Sequence, residues 1–383
     1  MTTHNTDVVV IGGGAMGTAA GWALARRGAR VVVLEQFQYV HNFGSHGGRT
    51  RIFRHAYAEG GRYVPWAIEA DALWSDLQQR TGAKFMHRIG CVDISAPGFH
   101  RAREARASAE QHGLASEWLT GADVNERWPI WNVPDDREVC YGAEAGFLDV
   151  AKALTSLVSE MNEAGGVLHE HTPVLSWSAT DSGVRVTTAN DTFEAQKLIV
   201  TAGSWSGHLL AELGIPLEVV RKPVLWFEVD DRCQALSGPD AMPVFISDDA
   251  HGEFYGIPNF EGHGVKVGMH SGRDVVDPNT VDRSVSDADI RTDIWPFIER
   301  SFHGFTGNIV DSSVCMYTMT PDADFAIDRH PEHDRVVFAT GFSGHGFKFT
   351  PVVGQYLTVL ASDDTTRVIE DFAINRFAAM SHL

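Results

Sequence analysis

Asp7-Val8-Val9-Val10-Ile11-Gly12-Gly13-Gly14-Ala15-Met16-Gly17 is the stretch that decides the fold. A short run of β-branched residues breaks into glycines. An Ala-rich helical segment then runs to Arg27, and a second apolar run, Val31 to Leu34, ends at Glu35. Strand, turn, helix and strand in that order make a Rossmann βαβ unit. Gly12, Gly14 and Gly17 fill the G-x-G-x-x-G positions, where missing side chains let backbone approach a pyrophosphate and offer N–H groups at the positive end of a helix. Glu35 stands 23 residues after Gly12, where a carboxylate accepts hydrogen bonds from a ribose. The motif predicts a dinucleotide site without separating NAD from FAD.

Downstream, Tyr63 to Arg80 carries Trp66, Ala70, Leu73 and Leu77 at the spacing of one helical face. From Ala83 to Val150 the rhythm dissolves into short mixed segments with prolines at 97, 129 and 134, which reads as an insertion. It returns with a helix near Ala151 to Ala164, strand-like runs around Val167, Val174 and Val184, and a buried strand Leu198-Ile199-Val200 entering Thr201-Ala202-Gly203. Between Pro216 and Tyr317, Val224 to Val229, Phe254 to Ile257 and Val265 to Val267 read as strands of a second, sheet-rich domain. Val336 to Ala339, a Gly-rich turn and the helix Pro351 to Leu360 complete the first domain. The expected division is 1–82, 145–215 and 320–383 for a discontinuous nucleotide-binding domain, and 83–144 with 216–319 for the substrate domain.

The 383 residues, 44% hydrophobic and 21% charged, suffice for two domains. A formal charge of -19 argues against nucleic acid and anionic membrane surfaces as partners, so an anionic ligand needs local cations, which concentrate from Arg49 to Arg54. Cys91, Cys140, Cys233 and Cys315 form no short-spaced pair, which suits a reducing compartment, and cytoplasm is expected. No apolar run has the length of a membrane span, and the polar lead Met1 to Thr6 leaves no room for a signal peptide. The ending Ser381-His382-Leu383 is close to the peroxisomal Ser-Lys-Leu address, the minor alternative. His169 and His171, two apart without a third ligand nearby, read as surface histidines, and no metal is expected.

Three further motifs carry a resemblance. They are Ser45-His46-Gly47 with Thr50-Arg51-Ile52-Phe53-Arg54-His55-Ala56-Tyr57, then Val314-Cys315-Met316-Tyr317-Thr318, then Gly341-Phe342-Ser343-Gly344-His345-Gly346-Phe347-Lys348-Phe349. In this order they closely resemble the monomeric sarcosine oxidase and N-methyltryptophan oxidase family, and the likeness runs on to Ile374-Asn375-Arg376. The resemblance implies FAD and an α/β fold, a Rossmann-type FAD-binding domain beside a sheet-rich α+β substrate domain. Cys315 matches the cysteine joined through sulfur to the flavin 8α-methyl group. Arg54 and Lys348 match the pair that binds the substrate carboxylate, a task suited to a guanidinium fork and a point charge. Arg51 and Lys266 match cations over the flavin, Lys266 being the counterpart for oxygen activation. Tyr255, His270 and Tyr317 correspond to substrate-pocket residues, with Tyr57 and Glu59 supporting the arginine loop. Ser45, Val174, Gly203, Gly344 and Gly346 join Gly12, Gly14, Gly17, Glu35, Arg51, Cys315 and Lys348 as expected cofactor contacts. The chain departs from the family where Gly47 replaces a second histidine implicated in flavin attachment, and where Arg49 replaces an aspartate.

The implied reaction is oxidative demethylation of a small N-methyl amino acid such as sarcosine, giving amino acid, formaldehyde and hydrogen peroxide, in a monomer with O2 as acceptor. Met242, Phe245, Ile246 and Phe254 are candidates for the wall that sets substrate size. Alternatives on the same framework are oxidation of N-methyltryptophan, pipecolate or fructosyl amino acids, or a flavin dehydrogenase feeding a protein acceptor. A noncatalytic flavin-binding protein and a plain NAD dehydrogenase stand further off.

Overall fold

The structure, a computed structural model, describes residues 2–180 and 182–382, the side chains of 379–382 excepted. Leu383 of the terminal tripeptide lies outside the described residues. Strand β1 (Thr2–Ile11), helix α1 (Ala15–Arg26) and strand β2 (Val31–Leu34) form the expected opening unit. β1 pairs in parallel with β2 on one side and with Asp191–Val200 on the other. It begins earlier than the sequence suggests, because Thr2 to Ala195-paired Thr6 lie at a half-exposed end where no apolar pattern is required, yet keep register with Asp191 to Ala195. Val167–His169 and His333–Thr340 extend the parallel core, and the antiparallel strands Val174–Ala179 and Val184–Thr188 continue it outward. Parallel strands covered on both faces need continuous apolar runs, and Val8, Val9, Val10, Ile199, Val200 and Val337 are almost wholly buried.

After strand β3 (Thr50–Phe53), helix α2 (Val64–Thr81) buries Val64, Ala67, Ala70, Trp74 and Leu77. The buried face is turned slightly from the expected one, leaving Trp66 and Leu73 at its half-buried margin. Gly82 ends the helix in the left-handed region at φ +69°. The segment read as an insertion supplies the outer strands of a second sheet, including Cys91–Ser95 and Glu138–Gly142, and helix α3 (Arg101–Gln111). That sheet runs through Val244–Asp249, Gly252–Ile257, Val265–Met269 and Glu218–Val229 to the 15-residue strand Phe305–Met319. Cys315 and Tyr317 sit near the inner end of this last strand, where exposure gives way to burial. Among the described residues no helix is long and apolar enough to cross a membrane.

Candidate active site

Two adjoining cavities, of about 400 Å³ and about 80 Å³, lie between the sheets and share Arg51, Tyr317, Gly344 and Phe347 as walls. The larger is built chiefly by backbone. Gly12 has φ +96°, and a Cβ there would stand 2.5 Å from the Thr201 carbonyl oxygen. Gly17 lies one layer deeper, where a Cβ would fall 1.8 Å from the Gly12 oxygen. It does not line the cavity, and its absent side chain lets α1 close onto the turn. Gly14 begins α1 without a side-chain cap, so the first N–H groups of the helix stay available beside Gly14, Ala15 and Met16 on the cavity wall.

Glu35, 4% exposed, receives the Gly13 and Phe37 N–H groups at 2.9 Å each, and His41 Nε2 lies 3.4 Å away. Ser45, Val174, Gly203 and Gly346 also line this cavity, as the sequence led one to expect. His41, His46, Thr201 and Trp205 line it too and went unassigned. Burial, then the charges of His41 and Arg51, push the His46 imidazole down to about 3, so it is neutral at physiological pH. Its Nε2 is buried without a hydrogen-bond partner among the described residues. A glycine cradle with no room for side chains, a fixed carboxylate at a strand end and an orphaned ring nitrogen fit a dinucleotide such as FAD.

Arg51 joins the two cavities. Its Nη1 donates to the Thr50 carbonyl at 2.8 Å, and its Nη2 to the carbonyls of Ser45 at 2.7 Å and Gly47. Nη2 also lies 3.6 Å from Cys315 Sγ, which in turn donates to the Gly47 carbonyl at 3.2 Å. Cys315 therefore lies on the wall of the smaller cavity beside a cation. Burial raises the thiols of Cys91 and Cys140, the latter to about 12. A side chain at Gly47 would meet the Asn42 backbone at 3.0 to 3.3 Å. Arg49 turns outward to Asp311 at 2.9 Å and takes no part in the site.

Lys266 lines neither cavity. It is 1% exposed behind the arginine loop, donating to the carbonyls of Gly48 at 2.7 Å and Thr50 at 2.8 Å. Burial, then Arg51, hold its ammonium well below the usual lysine range.

The smaller cavity is built by side chains. Arg54 Nη2 donates to both Glu59 oxygens at 2.7 Å and Nη1 to the Ala56 carbonyl at 2.8 Å, while its buried Nε–H has no partner among the described residues. Lys348 Nζ donates to the His345 carbonyl at 2.8 Å and to Tyr57 Oη at 3.1 Å, which leaves one of an ammonium's three donors unspent. Because Tyr57 accepts from Lys348, its own hydrogen goes to His345 Nδ1 at 2.7 Å, and His345 Nε2–H donates to the Ala323 carbonyl at 3.0 Å. Burial, then the charge of Arg54, bring Lys348 down to about 7.

Across from these cations, Tyr255, Ile246 and Ile257 form a floor on the second sheet, beside His270. Burial lowers the His270 imidazole, and its Nδ1 lies 3.3 Å from Tyr317 Oη. Of the residues expected to set substrate size, Ile246 alone lines the cavity. Phe245 and Phe254 lie on the other face of the sheet, packed in its core with Met242, because Ile246 opposes Tyr255 and strand side chains alternate. Sequence reasoning missed Glu253, which two-residue alternation from Tyr255 would have placed on the same wall, and Arg101 behind it, for which no local signal exists. His169, read as a surface residue, is half-buried against Phe193, and no metal-binding cluster of His, Cys, Asp and Glu occurs among the described residues.

This architecture has relatives. Residues 7–360 match the FAD dependent oxidoreductase family. The chain is 38% identical over 376 residues to a monomeric sarcosine oxidase of Arthrobacter sp., covering 97% of this chain and 96% of that one. It is 33% identical over 373 residues to an N-methyl-L-tryptophan oxidase of Yersinia pestis, covering 97% and 99%. The solved structure of NikD, an amino acid oxidase essential for nikkomycin biosynthesis, superposes with a TM-score of 0.85 at 23% identity, covering 97% of each chain. By the family match over nearly its whole length and by these relatives, the chain is a member of the FAD-dependent oxidoreductase family.

Proposed function

We propose that this protein is an oxidase of small secondary amino acids, sarcosine or a close N-methyl relative, that releases the demethylated amino acid, formaldehyde and hydrogen peroxide. The observation that carries this reading is the convergence of two buried cations, Arg54 and Lys348, the latter with one N–H unspent, on one small cavity beside the nucleotide site. Two cations from distant parts of the chain, both buried, are what a carboxylate needs to be held in one orientation. The relatives named for sarcosine and N-methyl-L-tryptophan support the amine half of the substrate.

FAD, when bound by the glycine turn, Glu35 and the walls near Arg51 and Gly344, supplies the hydride acceptor and, once reduced, the electrons that O2 takes up. The chain's own residues do the rest. Arg54 and Lys348 bind and orient the carboxylate, while Tyr255, Ile246 and Ile257 keep water from the reacting carbon. His270, neutral through burial, and Glu59 offer acceptors for the amine N–H. Tyr317 closes the cavity against Gly344, where a Cβ would stand 2.4 Å from its ring. Lys266, one layer behind Arg51, braces the loop that carries it by donating to the Gly48 and Thr50 carbonyls. Cys315 is the proposed point of covalent attachment. A volume of about 80 Å³ favours a small side chain over an indole.

The same proposal includes the division into 1–82, 145–215 and 320–383 for the FAD-binding domain and 83–144 with 216–319 for the substrate domain. Monomeric action belongs to the same proposal, and a cytoplasmic setting fits the four free cysteines. A panel of secondary amino acids, scored for substrate loss and peroxide release in air, tests the function. Peroxide equal to sarcosine consumed is expected. Consumption without peroxide would show a dehydrogenase, and no consumption of any member would overturn the reading.

A further inference from the structure

Behind the carboxylate-binding pair runs an alternating row of charges. Arg54 holds Glu59 at 2.7 Å, Glu59 lies 3.5 Å from Arg101 Nη1, and Arg101 Nη2 donates to Glu253 Oε1 at 2.7 Å. Arg101 enters from α3, and its guanidinium has a third carboxylate, Asp93, at 3.7 Å. Glu253 lies on the strand Gly252–Ile257, two residues from Tyr255 and four from Ile257, and all three side chains line the small cavity. Arg101 fixes one of its oxygens. The other has no hydrogen-bond partner in the protein among the described residues, and the side chain keeps 23% of its surface exposed. The floor therefore carries an anchored acceptor next to an apolar strip.

We propose that Glu253, positioned by Arg101, is a specificity-determining residue that selects secondary amino acids whose side chain bears a hydrogen-bond donor, a hydroxyl or an amine, over apolar side chains of equal size. The assignment rests on the proposed amino-acid oxidase function. An apolar group against this carboxylate would strip it of water without replacing the lost bonds, whereas a donor satisfies it. A substrate side chain ending in a carboxylate would meet like charge and be rejected.

The test compares N-methyl-L-serine with N-methyl-L-2-aminobutyrate, near-isosteres that differ in one hydroxyl, with sarcosine as reference. The wild type is expected to favour the serine derivative in kcat/KM by at least about tenfold. In Glu253→Met, which fills the space without any polar group for the hydroxyl to pair with, the ratio should fall to about one or below. Arg101→Met, which frees the Glu253 side chain to move, should reduce the ratio less. Equal rates for the two substrates in the wild type, with sarcosine oxidised, would overturn the specificity assignment and leave the oxidase function standing. A Glu253→Met enzyme slower on both substrates but with the wild-type ratio would mark the residue as structural and also overturn it. Failure to oxidise all three substrates would instead refute the oxidase function.

Discussion

The two cavities are made by opposite means. The larger exists because side chains are missing, at Gly12 and Gly344 on its walls and at Gly17 one layer beneath, where a Cβ would collide with backbone or a packed ring. The smaller exists because side chains arrive, Arg54 and Glu59 from the loop after β3, Lys348 near the C-terminus, Tyr255 and Glu253 from the second sheet. Holding a large nucleotide is thus a matter of backbone shape. Choosing and orienting a small substrate is a matter of buried charges that neutralise one another until a carboxylate enters.

If that contrast is right, damage to the second cavity should fall on substrate handling and damage to the first on cofactor content. The largest effect is expected for Arg54→Met, which leaves Glu59 with one fewer cation and removes an unspent donor. kcat/KM for sarcosine should fall by about 3 kcal/mol, roughly a hundredfold, with flavin content unchanged. Steady-state kinetics beside a flavin spectrum reads both.

A smaller effect, dependent on pH, is expected at Lys348. With its pKa near 7, the ammonium that attracts a carboxylate is present below that pH and lost above it. KM for sarcosine should therefore rise with pH by up to about tenfold per unit above 7, and binding of a carboxylate should take up a proton. Lys348→Met should raise KM at pH 6.5 and abolish that inflection, as a pH profile of both enzymes would show.

In the first cavity, Gly17→Ala should cost about 1–3 kcal/mol of stability and lower the flavin bound per chain, since the added methyl overlaps the Gly12 carbonyl. Gly207→Ala, whose Cβ would meet nothing within 4 Å, is the control and should change stability by less than about 0.5 kcal/mol. Thermal melts and the flavin-to-protein absorbance ratio distinguish them. The smallest effect on the fold is expected for Cys315→Ala at the junction. Its melting temperature should barely move, yet acid precipitation should free the flavin that stays in the wild-type pellet.

The same contrast explains what could be read in the sequence. Local features survive in one dimension, so the βαβ unit, Glu35 and the last strand, turn and helix were visible as glycine spacing and apolar period. The ends of β1 and of Phe305–Met319 were not, because half-exposed strands held by pairing need no apolar pattern. Arg54, Lys348, Tyr255, His270 and Tyr317 were found by resemblance alone, and they do converge on one cavity. Lys266 was expected beside the site and lies a layer behind it. Met242, Phe245 and Phe254 were misassigned because the strand's phase, which decides the face of each side chain, is fixed only by pairing with its neighbours. Arg101 had no signal at all, since an arginine on a polar helix looks solvated until its tertiary partners are known.

Everything proposed for the smaller cavity turns on Arg54 and Lys348 clasping one carboxylate together. A crystal structure of the oxidised enzyme with methoxyacetate, which copies sarcosine with oxygen in place of N–H and cannot be oxidised as an amine, tests it most directly. Carboxylate oxygens within about 3 Å of both the Arg54 guanidinium and Lys348 Nζ are expected. A carboxylate bound elsewhere, with Arg54 still spent on Glu59 and Lys348 on Tyr57 and the His345 carbonyl, would overturn that pairing.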